Sequence, residues 1–89
     1  MKIELYEQVS LRHDLPEYGL KQGDVATLVE YVPHPHDGEE GCILEVFNAV
    51  GESISVVVVP VSTIEPLRAD EILSVRSFAS RVQTLNADC

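Results

Sequence analysis

Gly23-Asp24-Val25-Ala26-Thr27-Leu28-Val29-Glu30-Tyr31-Val32 is the stretch that decides the fold. The two alternating sets within Val25–Val32 are Val25, Thr27, Val29, Tyr31 and Ala26, Leu28, Glu30, Val32. Both are rich in the β-branched and apolar residues that suit a pleated, half-buried surface. Side chains alternate faces along a strand, so two largely apolar sets mean that both faces are partly covered. A long, bent strand shared between two sheets of a small barrel reads this way. Gly23 just before it suits a positive φ, which a residue without Cβ accepts at no steric cost. Asp24 is then placed to accept hydrogen bonds from backbone N–H groups of the turn.

Upstream, Ile3, Leu5, Val9 and Leu11 share one parity, and Glu4, Tyr6, Gln8, Ser10 and Arg12 share the other. Glu7 breaks the apolar set, which makes residues 2–7 a lead-in and Gln8–His13 the strand. Pro16, Gly19 and Gly23 punctuate the connection as a loop with a tight turn. Downstream, residues 33–41 carry two prolines and two glycines and form a polar loop. Cys42–Phe47 and Ser53–Val59 are two further strands around a hairpin loop, with Gly51 at its positive-φ position. Pro60 ends the second, Val61–Thr63 makes a short turn, and Ile64–Leu67 is a last brief strand.

From Asp70 the period changes. At about 100° per residue, Ile72, Val75, Phe78, Ala79, Val82 and Leu85 fall within a ~140° arc, which predicts an amphipathic helix over 70–85. Asp70 is expected to cap its N-terminus, and Glu71 to complement its dipole. The expected architecture is mainly β: a small barrel of about five strands over residues 1–67, then a C-terminal α-helix and tail over 68–89.

The whole is one domain, since 89 residues leave no room for a second core. A chain this short buries only about 60–65% of the surface its unfolded form exposes. Hydrophobic residues at 45% and charged residues at 24% exclude disorder as a description of the whole chain. Fifteen acidic side chains against six basic ones give a net charge of -9. Such a surface repels phosphates, so nucleic acid is excluded as a partner. Residues 1–67 hold twelve of the acids and three of the bases, so the strand body carries the whole imbalance. The longest apolar run, Val56–Val59, is far short of the ~20 residues of a membrane helix. Glu4 and Glu7 break any signal-peptide core, and the expected compartment is the cytoplasm. Cys42 and Cys89 allow one bridge at most, and both are expected to be reduced.

The stretch Asp14-Leu15-Pro16-Glu17-Tyr18-Gly19-Leu20-Lys21-Gln22-Gly23-Asp24-Val25-Ala26-Thr27-Leu28-Val29-Glu30 resembles the bacterial family called domain of unknown function 4926. Ile64-Glu65-Pro66-Leu67 and Asp70-Glu71-Ile72-Leu73-Ser74-Val75-Arg76 look like the C-terminal pattern of that family. The resemblance covers most of the chain and implies no activity. More distantly, Leu20–Val29 is similar to the turn and strand of SH3-like barrels, which implies an SH3-like barrel for the strand body. It does not bring RNA binding with it, because the chain has no cluster of Lys and Arg.

Chemistry-bearing constellations are few. His34-Pro35-His36-Asp37, followed by Glu39 and Glu40, is the metal-like cluster, with donors that suit zinc or another divalent transition metal. His34 and His36 are two apart and face opposite sides of an extended loop, with no third histidine nearby. No metal or other cofactor is therefore expected. The serines lack a nucleophile-elbow context, His13 and Asp14 face opposite ways, and Gly19 and Gly23 lack the spacing of a phosphate loop. No catalytic residue is assigned, and the chain is not expected to be an enzyme.

The expected function is that of a non-catalytic protein-binding module. Acids on the loops, Glu17, Asp37, Glu39, Glu40 and Glu52, steer a basic protein partner. Tyr18 either anchors that partner, as tyrosines in interface hot spots do, or covers one end of the barrel. The helix stripe of Ile72, Val75, Phe78, Val82 and Leu85 packs on its own barrel or pairs with a second copy as a homodimer. Val56–Val59 is a second edge available for such pairing. The helix is neutral, which sets it apart from membrane-surface helices. Three other readings stay open: the neutralising half of a toxin–antitoxin or immunity pair, a small metal-binding protein or enzyme using the His34/His36 loop, and a structural subunit.

Overall fold

The computed structural model describes residues 2–33 and 38–78. Alternation of apolar residues gives five strands: β1 (Gln8–Leu11), β2 (Val25–Val32), β3 (Gly41–Phe47), β4 (Ser53–Pro60) and β5 (Ile64–Pro66). They form one antiparallel sheet in the order β4-β3-β2-β1-β5, with β4 and β5 at its edges. Val61–Thr63 is a single 3-10 turn that delivers β5 to β1, with Leu11 opposite Ile64.

β2 is the central element. Its start pairs with β1, Val9 opposite Ala26, and Thr27–Val32 pairs with β3. A bulge between Leu28 and Glu30 shifts the register. One extra residue on one strand bends it and increases its twist. Ala26 and Leu28 point into the core before the bulge, and Tyr31 packs against the same core after it. Both residue sets of this strand are apolar for that reason.

The lead-in closes over the bulge. The Tyr6 N–H donates to the Leu28 carbonyl, and the Leu28 N–H donates to the Glu7 carbonyl. Tyr6 takes a φ of 71° to do so. The Tyr31 hydroxyl donates to the Ile3 carbonyl at 2.6 Å, and the Lys2 ammonium lies 4.4 Å above the Tyr31 ring. β1 stops two residues short of the expected His13. Past Leu11 the chain turns, with the Arg12 N–H donating to the Thr63 carbonyl.

The core follows the period of two. Cys42, Leu44 and Val46 of β3 and Val57 and Val59 of β4 are buried, while Val56 and Val58 face outward. Leu11, Leu28, Leu44 and Val9 are fully buried, each worth roughly 1.5–3 kcal/mol of transfer free energy.

The expected helix is absent from residues 70–78, which contain no regular secondary structure. Ile72, Ser74, Val75, Ser77 and Phe78 are all middling helix formers, and a short helix in water is marginal without tertiary support. Local contacts compete successfully. The Glu71 carboxylate accepts the Arg68 N–H at 2.6 Å, and the Asp70 carboxylate accepts Arg68 Nε at 3.1 Å, so neither acid caps a helix. Val82 and Leu85 lie outside the described residues, as does Cys89. Among the described residues no helix is long and apolar enough to cross a membrane.

Candidate functional site

The loop between β1 and β2 is rigid, and its rigidity aims two acceptors at one point. Pro16–Tyr18 forms a 3-10 turn with proline at its start, where a missing N–H costs nothing. Gly19 ends it at a φ of 73°, and Leu15 and Leu20 pair by two backbone hydrogen bonds. Gly23 has a φ of 92° and donates its N–H to the Leu11 carbonyl. Side chains close the turn: Asp24 accepts the Lys21 N–H at 2.8 Å and Asp14 accepts the Gln22 N–H at 2.9 Å.

The outcome is a seat for a guanidinium, which Arg76 occupies. Its Nε donates to Asp24 Oδ1 at 2.9 Å and its Nη2 to Asp24 Oδ2 at 2.5 Å. Nη2 also reaches the Gly19 carbonyl at 3.2 Å, and Nη1 donates to the Ser77 carbonyl at 2.8 Å. The two side chains are 29% and 21% exposed. Burial pushes the Asp24 carboxyl up, but hydrogen bonds from Arg76 and the Lys21 N–H, and both positive charges, hold it below its ordinary value. The Asp24 carboxylate raises the Arg76 guanidinium by hydrogen bond and charge, against a smaller effect of burial, and the charge of Asp14 adds to the rise. A paired fork of this kind is worth about 1–2 kcal/mol at partial exposure.

Beside this seat lies a cleft of about 490 Å³. Leu20, Ala26, Val46 and Ile54 line it from the loop and sheet. Leu73, Val75, Arg76 and Phe78 line it from the C-terminal arm. Leu20, Ala26 and Val46 belong to the core, and Ile54 and Phe78 pack against it, so the cleft opens directly onto the hydrophobic interior. The β3–β4 hairpin borders it through Asn48. Asn48 Oδ1 accepts the N–H groups of Val50 and Glu52, and its amide donates to the Glu52 carboxylate at 2.9 Å.

The described acids singled out from the sequence are spread over both ends of β3. Glu17 and Tyr18 are exposed on the loop beside Gly19, and Glu52 is tied to Asn48 of the hairpin, but none of the three lines the cleft. Glu39 and Glu40 precede β3, whose seven residues separate them from the hairpin by about 20 Å. Glu39 accepts the Ser62 N–H at 2.9 Å; the Ser62 side chain and then this N–H hold its carboxyl below the ordinary value, and Glu40 pairs with Lys2 at 2.9 Å. Asp37, with His34 and His36, lies outside the described residues. The apolar stripe does not form over its described part: Ile72 and Val75 are each 92% exposed, and Phe78 packs on its own chain. Cys42 is buried and free, and burial together with the Glu40 charge pushes its thiol up to about 11, so it stays protonated at neutral pH.

Asp24 was legible as a turn residue but not as half of an ion pair with Arg76, which lies 52 residues away. The spacing of Arg76 and Phe78 was a signal, since residues two apart share one side of an extended chain. Asn48 was legible too, as an Asx-type acceptor opening a turn.

These features define a small all-β domain with an apolar cleft and a carboxylate at its rim. The chain belongs to the family described as Domain of unknown function (DUF4926), whose model matches residues 5–66. That span holds all five strands and Asp24, and ends before Arg76. No curated protein and no solved structure matches the chain.

Proposed function

We propose that the protein is a non-catalytic protein-binding module whose acidic surface engages a basic partner. The observation that carries the reading is the Asp24 carboxylate and Gly19 carbonyl, held by a rigid loop at the rim of an apolar cleft, with a guanidinium seated between them. Such a pairing of a fixed acceptor set with an apolar cavity suits recognition of an arginine-bearing protein surface. The net charge of -9 adds long-range attraction for cations and speeds encounter. The protonated, buried Cys42 thiol lends no nucleophile to a covalent mechanism. We read the sheet as an SH3-like barrel; the strand order, the bend in β2 and the 3-10 turn before β5 support that reading. A cytoplasmic setting fits the free Cys42.

The test is capture of partners by the immobilised full chain from a lysate of its source cells, at low and at high salt, with recovered proteins quantified by mass spectrometry. One basic protein recovered in near-equal amount at low salt and lost at high salt bears the reading out. No enriched protein at either salt overturns it.

A further inference from the structure

We infer that the cleft is a groove for an Arg-x-aromatic segment of a basic partner protein, and that Arg76-Ser77-Phe78 fills it in cis as a displaceable plug. This rests on the reading above and names the chemistry that the partner presents.

The seat is built for arginine. A carboxylate that takes Nε and Nη2 together, with a carbonyl taking Nη2 as well, matches the planar fork of a guanidinium and not the point charge of an ammonium. The apolar half suits an aromatic ring, because Phe78 reaches the core cluster through the cleft. A spacing of two puts both groups on one side of an extended peptide.

The arm is a weak occupant. Among its described residues only Arg76 and Phe78 hold it to the body: Ile72, Leu73 and Val75 are exposed, and residues 70–78 join no strand. Among the described residues, with 70–78 in place, the cleft measures about 490 Å³, within the ~300–1,000 Å³ usual for binding sites.

Charge selects the occupant. Residues 68–78 carry Arg68 and Arg76 against Asp70 and Glu71, a balance of zero, whereas the strand body carries the whole of the -9. A basic foreign segment complements that body, and the arm of a second copy does not. Asp14 adds negative charge beside the seat.

The test uses the full chain, wild type and Arg76→Gln, with a fluorescein-labelled peptide of sequence Ile-Leu-Ser-Val-Arg-Ser-Phe and the same peptide with Gln for Arg. Removing the plug's guanidinium raises the competent fraction, so Arg76→Gln is expected to bind the arginine peptide about tenfold or more tighter than wild type. The Gln peptide is expected to bind about tenfold or more weakly. Asp24→Asn in the Arg76→Gln background is expected to remove the advantage of the arginine peptide. Amide signals of Leu20, Asp24, Ala26, Val46 and Ile54 are expected to shift on titration into Arg76→Gln, which needs no second mutation. Equal binding by wild type and Arg76→Gln, equal binding of the two peptides, signal shifts confined elsewhere, or no binding at all overturns the inference. A wild-type dimer that dissociates in Arg76→Gln also overturns it, by assigning the arm to exchange between copies. Peptide failure with a basic protein still captured moves that partner to another acidic surface and spares the broader reading. Peptide binding with no captured partner supports the groove and removes the broader reading.

Discussion

The sheet and the C-terminal arm are made of similar residues and are held in opposite ways. Residues 8–66 fix each strand by backbone ladders and by alternating side chains that meet in one core. Residues 67–78 carry Leu67, Ile72, Leu73, Val75 and Phe78, yet among these only Phe78 packs against the core cluster. A salt-bridged guanidinium supplies the other attachment. Apolar content does not order a segment by itself; the backbone must have partners and the side chains a cavity that fits.

The contrast breaks most clearly by attacking the sheet. Leu28→Ala, at a fully buried position where β2 bends, is expected to cost about 2–5 kcal/mol in urea or thermal unfolding. Arg76→Gln removes a partly exposed pair and is expected to cost no more than about 1–2 kcal/mol, while changing Phe78 aromatic NMR signals and leaving strand amide signals in place. Gly23→Ala sits between the two regions. Nothing lies within 4 Å of the added Cβ, so the cost is that of a φ of 92°, about 1 kcal/mol, read as a lowered unfolding midpoint. Val75→Ala, on the exposed arm, is expected to stay within about 0.5 kcal/mol of wild type in the same assay.

Acid sharpens the comparison without mutation. The Asp24 carboxyl lies below its ordinary 3.8 in the folded chain, so the clasp contributes fully above 3.8 and is lost as pH falls through the lowered value. Phe78 signals are expected to move in that window. In Asp24→Asn this titration is expected to vanish.

Most of the sheet was legible because its signals are local. Val25–Val32, with apolar residues on both faces, is the bent strand itself, and Gly51 takes the positive φ that its hairpin demands. The helix expected over 70–85 failed in residues 70–78 because angular spacing and terminal acids did not outweigh weak intrinsic propensity. Two serines, two β-branched residues and a phenylalanine give little intrinsic support, and Arg68 captured the acids meant for the N-terminus. The acidic surface was legible as a charge but not as a geometry. Loop acids fall at opposite ends of β3, and sequence distance hides which end each occupies. The pairing of Asp24 with Arg76 spans 52 residues, beyond the reach of local patterning.

The central claim is that Asp24 holds the arm on the cleft through Arg76. Trypsin tests it directly, because it cuts after arginine and Arg68, 59% exposed at its side chain, serves as the reference site in the same arm. Initial rates of cleavage after Arg76 and after Arg68 would be measured by mass spectrometry in wild type and Asp24→Asn. The account predicts a several-fold rise in the Arg76 rate relative to the Arg68 rate in Asp24→Asn. An unchanged ratio would contradict it.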